Sequence, residues 1–478
     1  MKQLLSLLLI GILWIGVNFF SSCDEEKFTT NPSHTLAFSQ DTIMFDTIFT
    51  TIGSSTRILK IYNPNAEAMR ISSIALARGN KSVFRVNVDG QYGTNFSDVE
   101  IREKDSMYVF VEVTINPNNV NNPILEKDSL VFNMANGPVQ DVKLRAYGQD
   151  ILPLRGKVID KDTVFTSLRP IVIYDSLRVN QGVTLKIDEG TRMYFHSKAD
   201  CRIYGTMQAK GTLDKPILLR GDRLDNMFDD LPYDRVAGQW AGVRFFGNSY
   251  HNMLSYVDIH GGEYGIQCDS SEVGTMKLTL ENSIVHNVKS NGLNFTSCKA
   301  KIGNCQLTNA GANCVNLLGG DVEFIHCTIA NFYSWDIRRG VAVAVKNTQF
   351  DKPYPLINAR FLNCLITGSS SDEINGVASK DQTIPFNYYY SYSLLNTKEE
   401  SNENIVAPIW KREDKFLYIG KTDFDYDFRL DTLSAAIDIS KVEDAQSYPL
   451  DLRGRNRLAD KSPDAGCYEW KSGDKKRK

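Results

Sequence analysis

The sequence lacks most of the features that would declare a chemistry. It has no Cys-x-x-Cys, and its six histidines are scattered without ligand spacing, which excludes the common structural zinc modules. Neither sign of charge dominates: 54 basic against 57 acidic residues leave a net charge of -3, so no basic field exists to attract nucleic acid. After residue 23 no apolar run is long enough to cross a bilayer. What is present is a chain of 478 residues, 42% of them hydrophobic, long enough for a large core and for two or three domains.

The N-terminus is the exception to this even character. Lys2 is followed by an apolar segment, Leu4 to Phe20, then Ser21, Ser22, Cys23 and the acids Asp24, Glu25 and Glu26. These are the parts of a secretory signal, a retained membrane span being the competing reading. The small residues before a cysteine resemble a bacterial lipoprotein signal, and the acids after it resemble the surface-export signal of Bacteroidetes lipoproteins. The resemblance implies that residues 1–22 are removed, that Cys23 is lipidated, and that 23–34 form a tether. It places the protein on the outer membrane, lipid-anchored and facing the exterior, with the periplasmic face as the alternative.

From 35 to 150 the pattern is all strand. "RILKIYNPNAEAMRISSIAL", "MYVFVEVTINP" and "DSLVFNMANGPVQDVKLRAYG" alternate around turns at Asn63-Pro64-Asn65 and Asn136-Gly137-Pro138. Short strands at this spacing predict a β-sandwich. The order of phrases resembles the immunoglobulin-like domains of the abnormal-spindle and hydin type, which are spacers or binding modules.

After Pro153 the strands shorten and repeat between glycine turns, as in "VTLKIDEGTRMYFHSKADCRIYGTMQAKGTLDKPILLRGD" followed by "GQWAGVRFFG". With Gly190, Gly205, Gly211 and Lys215-Pro216 at the corners, this resembles the right-handed parallel β-helix proteins of the pectate-lyase-like superfamily. The expected fold is therefore all-β, an immunoglobulin-like β-sandwich followed by a parallel β-helix over 151–425. Periodicity gives an independent indication. "LSYVDI", "LENSIV", "IGNCQL", "FIHCTI" and "FLNCLI" start at 254, 280, 302, 324 and 361, so one coil is about 22 residues and the longer steps hold inserted loops. In this register Leu254, Leu280, Ile302, Phe324 and Phe361 form one inward column, and Ile259, Val285, Leu307, Ile329 and Ile366 another.

A third inward column contains Val257, Ser283, Cys305, Cys327 and Cys364. Eight cysteines besides Cys23 invite a disulfide reading in an exported protein. In-register side chains on neighbouring coils point the same way, so buried free thiols are the expectation. The position before this column reads Tyr256, Asn282, Asn304, His326 and Asn363, which predicts an asparagine ladder at a coil corner.

Chemistry should stand on the outward positions. Pectate-lyase-like enzymes need clustered carboxylates for calcium, or paired acids for hydrolysis. The outward column Asp258, Ile284, Gln306, Thr328 and Leu365 offers one acid. The next places His260 and His286 on neighbouring coils beside Asp258, the sharpest catalytic candidates, against the plainer reading of surface histidines without a role. A second candidate is the loop "GDRLDNMFDDLPYDRVAGQW", where Asp225, Asp229 and Asp230 are weak metal candidates. Its interleaved arginines argue instead for an ordered loop held by ion pairs. No metal or cofactor is expected. The end of the chain, 426–478, resembles the terminal segment of secreted bacterial β-helix proteins through Ala436-Ile437-Asp438 and "PDAGCYEW", and is expected to cap the last coils. Asp-Ser/Thr-aliphatic triplets such as Asp41-Thr42-Ile43 resemble the O-glycosylation acceptor of Bacteroidetes envelope proteins. The functional expectation is a non-catalytic envelope lipoprotein that binds a glycan or an outer-membrane protein partner. The alternative is a polysaccharide lyase or glycoside hydrolase.

Overall fold

The structure is a computed structural model that describes residues 27–119, 123–228, 230–400, 402–411, 414–459 and 461–475. Cys23 and Asp229 lie outside the described residues. The chain divides into two compact units, Met1–Gln149 and Asp150–Lys478.

The first unit contains two five-stranded sheets. One runs in the order Ala37–Phe38, Arg57–Tyr62, Ser106–Val113, Phe84–Val88, Gln91–Gly93 and is antiparallel throughout. The other places Thr42–Phe49 parallel to Val139–Gln149, followed by Ile124–Met134, Met69–Leu76 and Asn95–Ile101, all antiparallel. Alternation along each strand drives the arrangement. In Ser106–Val113, Val109, Val111 and Val113 turn into a core shared with Ile43, Phe45, Phe132 and Leu144 of the other sheet.

The second unit is β-helix-like, with long parallel sheets built from short strands. Each coil supplies three. Asn252–Ser255, Met276–Glu281, Lys299–Gly303, Gly320–Ile325 and Leu356–Leu362 pair successively along one track. Val257–His260, Ile284–Val288, Gln306–Ala310, Thr328–Asn331 and Leu365–Gly368 pair along a second. Ile266–Cys268, Leu293–Thr296, Val315–Leu318, Val343–Lys346 and Ile374–Val377 form the third. The two inward columns expected from the 22-residue repeat are paired residue by residue and are almost fully buried. The first continues into an aromatic stack, with Phe324, Phe361 and Tyr390 separated by ring-centroid distances of 4.7 and 4.8 Å. That spacing is the inter-strand repeat of a parallel sheet carried into its side chains.

All eight described cysteines are free and buried. The Cys305, Cys327 and Cys364 thiols each donate to the carbonyl two residues earlier, as do the Ser283 and Ser393 hydroxyls in the same column. The corner position before them is left-handed at every coil, with φ of 50° at Tyr256, 49° at Asn282, 53° at Asn304, 48° at His326 and 54° at Asn363. Asparagine tolerates that region better than other non-glycine residues, which accounts for its recurrence.

The terminal segment differs from the end cap that its sequence suggests. Its contacts run along the flank of the coils. The Cys467 amide donates to Thr328 Oγ1 at 3.0 Å, the Tyr468 hydroxyl to Gln306 Oε1 at 2.7 Å, and the Gly466 amide to the Asn363 carbonyl at 2.9 Å. Apolar residues of the outward column, Leu365 above all, form a second core with Phe428, Leu430, Ala436, Leu452 and Cys467. The physical cause lies in that column. Ile284 and Leu365 are apolar residues pointing away from the main core, and the segment removes them from water. Gly466 has φ of 96°, and a Cβ there would come within 2.5 Å of Thr328 Oγ1, so only glycine permits the close approach.

Candidate functional site

Between the coils and the terminal segment lies a polar cleft of about 310 Å³, lined by Asp234, Asp258, His260, His286, Asp427 and Arg429 among others. Two rungs of the second track build its floor. Asp258 and His260 alternate with the inward Ile259 on Val257–His260, and His286 follows on Ile284–Val288, in register with His260. Backbone pairing therefore fixes which groups meet.

The result is a linear cluster of charge. His260 Nδ1 is 2.8 Å from Asp258 Oδ1, and its Nε2 is 3.1 Å from Asp234 Oδ1. His286 Nε2 approaches the same Asp258 Oδ1 at 3.3 Å, and the two imidazoles lie 4.6 Å apart at 35°. Asp234 comes from the inserted loop and is held from behind by Arg220. Burial lowers the tendency of His260 to hold a proton, but the carboxylates of Asp258 and Asp234 outweigh it and lift its pKa to about 9. Burial would raise the Asp258 carboxyl; His260 and His286 hold it well below the usual carboxylate range instead. Asp234 is lowered for the same reason.

This corrects the reading of His260 as a surface residue. It is 4% exposed, because the loop carrying Asp234 and Trp240 covers it, and the Trp240 indole donates to its carbonyl at 2.8 Å. His286 is less enclosed, with 23% of its side chain open. The opposite wall brings further charge. Arg429 is bidentate to Asp427, and Arg235 lies 3.6 Å from Asp425. Asp225 is bound by Arg223, which also stacks on Tyr233, and Asp230 stands near Phe228 and Trp335 in a separate shallow depression. The structure thus brings Asp258, His260 and His286 together and leaves Asp225 and Asp230 apart from them. Sequence reasoning did not connect Asp234 to His260, nor Arg429 and Tyr468 to this flank. The links join a loop or a distant segment to a coil, and no local spacing carries them.

Comparison with known proteins leaves the family open. No protein-family model matches the chain, and no curated protein matches it. Among solved structures, a Vibrio cholerae VesB protease aligns with 16% identity over 24% of this chain and 31% of its own, at a TM-score of 0.17. The chain thus spans under a third of that structure. The human CEP192 PapD-like domain 7 aligns with 12% identity over 27% of this chain and 94% of its own, at a TM-score of 0.17. A Bacteroides ovatus GH5 xyloglucanase bound to a heptasaccharide aligns with 10% identity over 46% and 56%, again at 0.17. Likenesses this low carry no argument about activity.

Proposed function

We propose that the chain is a lipid-anchored protein of the outer membrane, without catalytic activity, whose β-helix binds a short stretch of glycan in the cleft over Asp258 and His286. In this reading Cys23 carries the lipid, the first unit is an immunoglobulin-like spacer, and the second is a right-handed helix of the pectate-lyase-like kind. An outer-membrane protein partner is the other occupant that such an address offers. The observation that carries the proposal is charge compensation. Asp234, Asp258, Asp425 and Asp427 each sit against an arginine or a histidine. Acids so paired are poor calcium ligands and poor general acids, whereas a polar, internally neutral cleft near 300 Å³ suits a small uncharged hydroxyl-rich unit.

The second reading is a lyase or hydrolase, favoured by the contact of His286 with Asp258, which is how a carboxylate orients a general base. Binding of the purified chain to arrayed envelope and plant glycans, together with digestion assays on pectin and alginate, separates the two. Saturable binding without cleavage is expected. Cleavage that disappears in His286→Ala overturns the binding reading in favour of the enzyme.

A further inference from the structure

We infer that Asp258, His260 and His286 form a binding site for a transition-metal dication of the zinc class. The inference rests on the cluster's geometry and is independent of the glycan reading.

Three donor atoms converge: Asp258 Oδ1, a nitrogen of His260 and Nε2 of His286 all lie within 4.8 Å of one another. Two of the separations, 2.8 Å from Asp258 Oδ1 to His260 Nδ1 and 3.3 Å to His286 Nε2, match the edges of a coordination polyhedron. Metal–ligand bonds of about 2.0–2.2 Å give edges from about 2.8 Å in an octahedron to about 3.6 Å in a tetrahedron. Both imidazoles place a nitrogen close to the same carboxylate oxygen.

The surroundings of His260 add a second, independent sign. With Nδ1 as the ligand, the metal displaces the Nδ1 proton to solvent while Nε2 keeps its own, and that nitrogen lies 3.1 Å from Asp234. Asp234 is itself held by Arg220, whose Nη2 also donates to the Arg223 carbonyl at 2.7 Å. A ligating histidine whose other nitrogen is fixed by an anchored carboxylate is the usual support of a metal site. The scaffold is also stiff. His260 and His286 are paired residues of adjacent parallel strands, so the backbone ladder sets their separation.

Two imidazoles and one carboxylate select borderline metals such as zinc, cobalt or nickel over calcium and magnesium, which prefer oxygen sets. Three protein ligands leave coordination positions for a ligand oxygen, and all three residues line the cleft. No sequence motif marks the site because its histidines stand one coil apart, 26 residues in the chain.

The test uses the full chain, stripped with chelator and titrated with Zn²⁺ and Co²⁺ by calorimetry and visible absorption. One equivalent of either ion is expected to bind, Co²⁺ with a ligand-field band, and Ca²⁺ and Mg²⁺ are expected not to compete. Asp234→Asn should weaken Zn²⁺ binding about 10- to 100-fold by releasing His260. His286→Gln should weaken it more, and His196→Ala, an exposed histidine elsewhere, should leave it unchanged. Circular dichroism verifies that each variant is folded. Failure to bind one equivalent, or equal binding by folded His286→Gln, overturns the inference and leaves only a proton shared within the cluster. Glycan binding that persists in chelator alongside that failure removes the metal and keeps the proposed function; loss of glycan binding with the metal still bound does the reverse.

Discussion

At the scale of single residues, the coils are specified by positions that recur. The column of Val257, Ser283, Cys305, Cys327, Cys364 and Ser393 needs a side chain that is small, and from Ser283 onward each donates to a carbonyl beside a left-handed corner. Serine and cysteine are thus near-equivalents here, where apolarity alone would not explain the serines. Cys327→Ser should therefore change the melting temperature little. Cys327→Asp places a carboxylate in a dry stack without a cation, at a cost of several kcal/mol, and should unfold the second unit. Urea denaturation followed by tryptophan fluorescence compares the two, and equal stability of the Asp variant would mean that the column faces solvent. Gly303 has a different constraint, since a Cβ there would lie 1.9 Å from Tyr448 Cζ. Gly303→Ala should push Tyr448 off its hydrogen bond to Glu281 and increase proteolysis within 440–475, read by limited digestion.

At the scale of elements, the terminal segment is the least regular part of the second unit and the one that completes the cleft. Its docking depends on a buried polar set. Arg457 is fully buried and reaches both Glu469 and Asn304, and the Asp464 amide donates to Glu469. Burial raises the Glu469 carboxyl to about 8 against the pull of Arg457. A carboxyl whose pKa is raised on folding is stabilising relative to the unfolded chain when protonated. Its contribution is complete below the ordinary value of 4.5 and is lost as pH rises through about 8. The melting temperature should accordingly fall between about pH 5 and pH 9, and Glu469→Gln should flatten that slope. A slope identical in the variant would mean that Glu469 is ionised throughout by its pairing with Arg457.

At the scale of the whole molecule, the proposed anchor has a test of its own. Cys23→Ala should abolish labelled-palmitate incorporation and shift the protein from the membrane fraction to the soluble one, or leave it as an uncleaved precursor. Equal labelling of the variant removes the lipoprotein reading and leaves the account of the described residues, which begin at residue 27, unchanged. The cluster of Asp258, His260 and His286 belongs to the second unit, so its chemistry is expected to survive Cys23→Ala.

Much of the second unit was legible in the sequence for one physical reason. In a stack of coils each residue meets its counterpart one coil away, so environment repeats with the chain and the pattern of side chains records it. The columns of Leu254 and Ile259, the thiols and the asparagine corners are all of this kind, and so is the adjacency of His260 and His286. The alternating strands of the first unit were legible for a related reason, a two-residue period set by one buried face. Contacts without period left no such record. The position of the terminal segment along the flank and the link from Asp234 to His260 join residues 26 to 162 positions apart, and the burial of His260 rests on the loop that covers it. They depend on which apolar outward residues needed cover and on how loops met over them, and only the tertiary structure decided that.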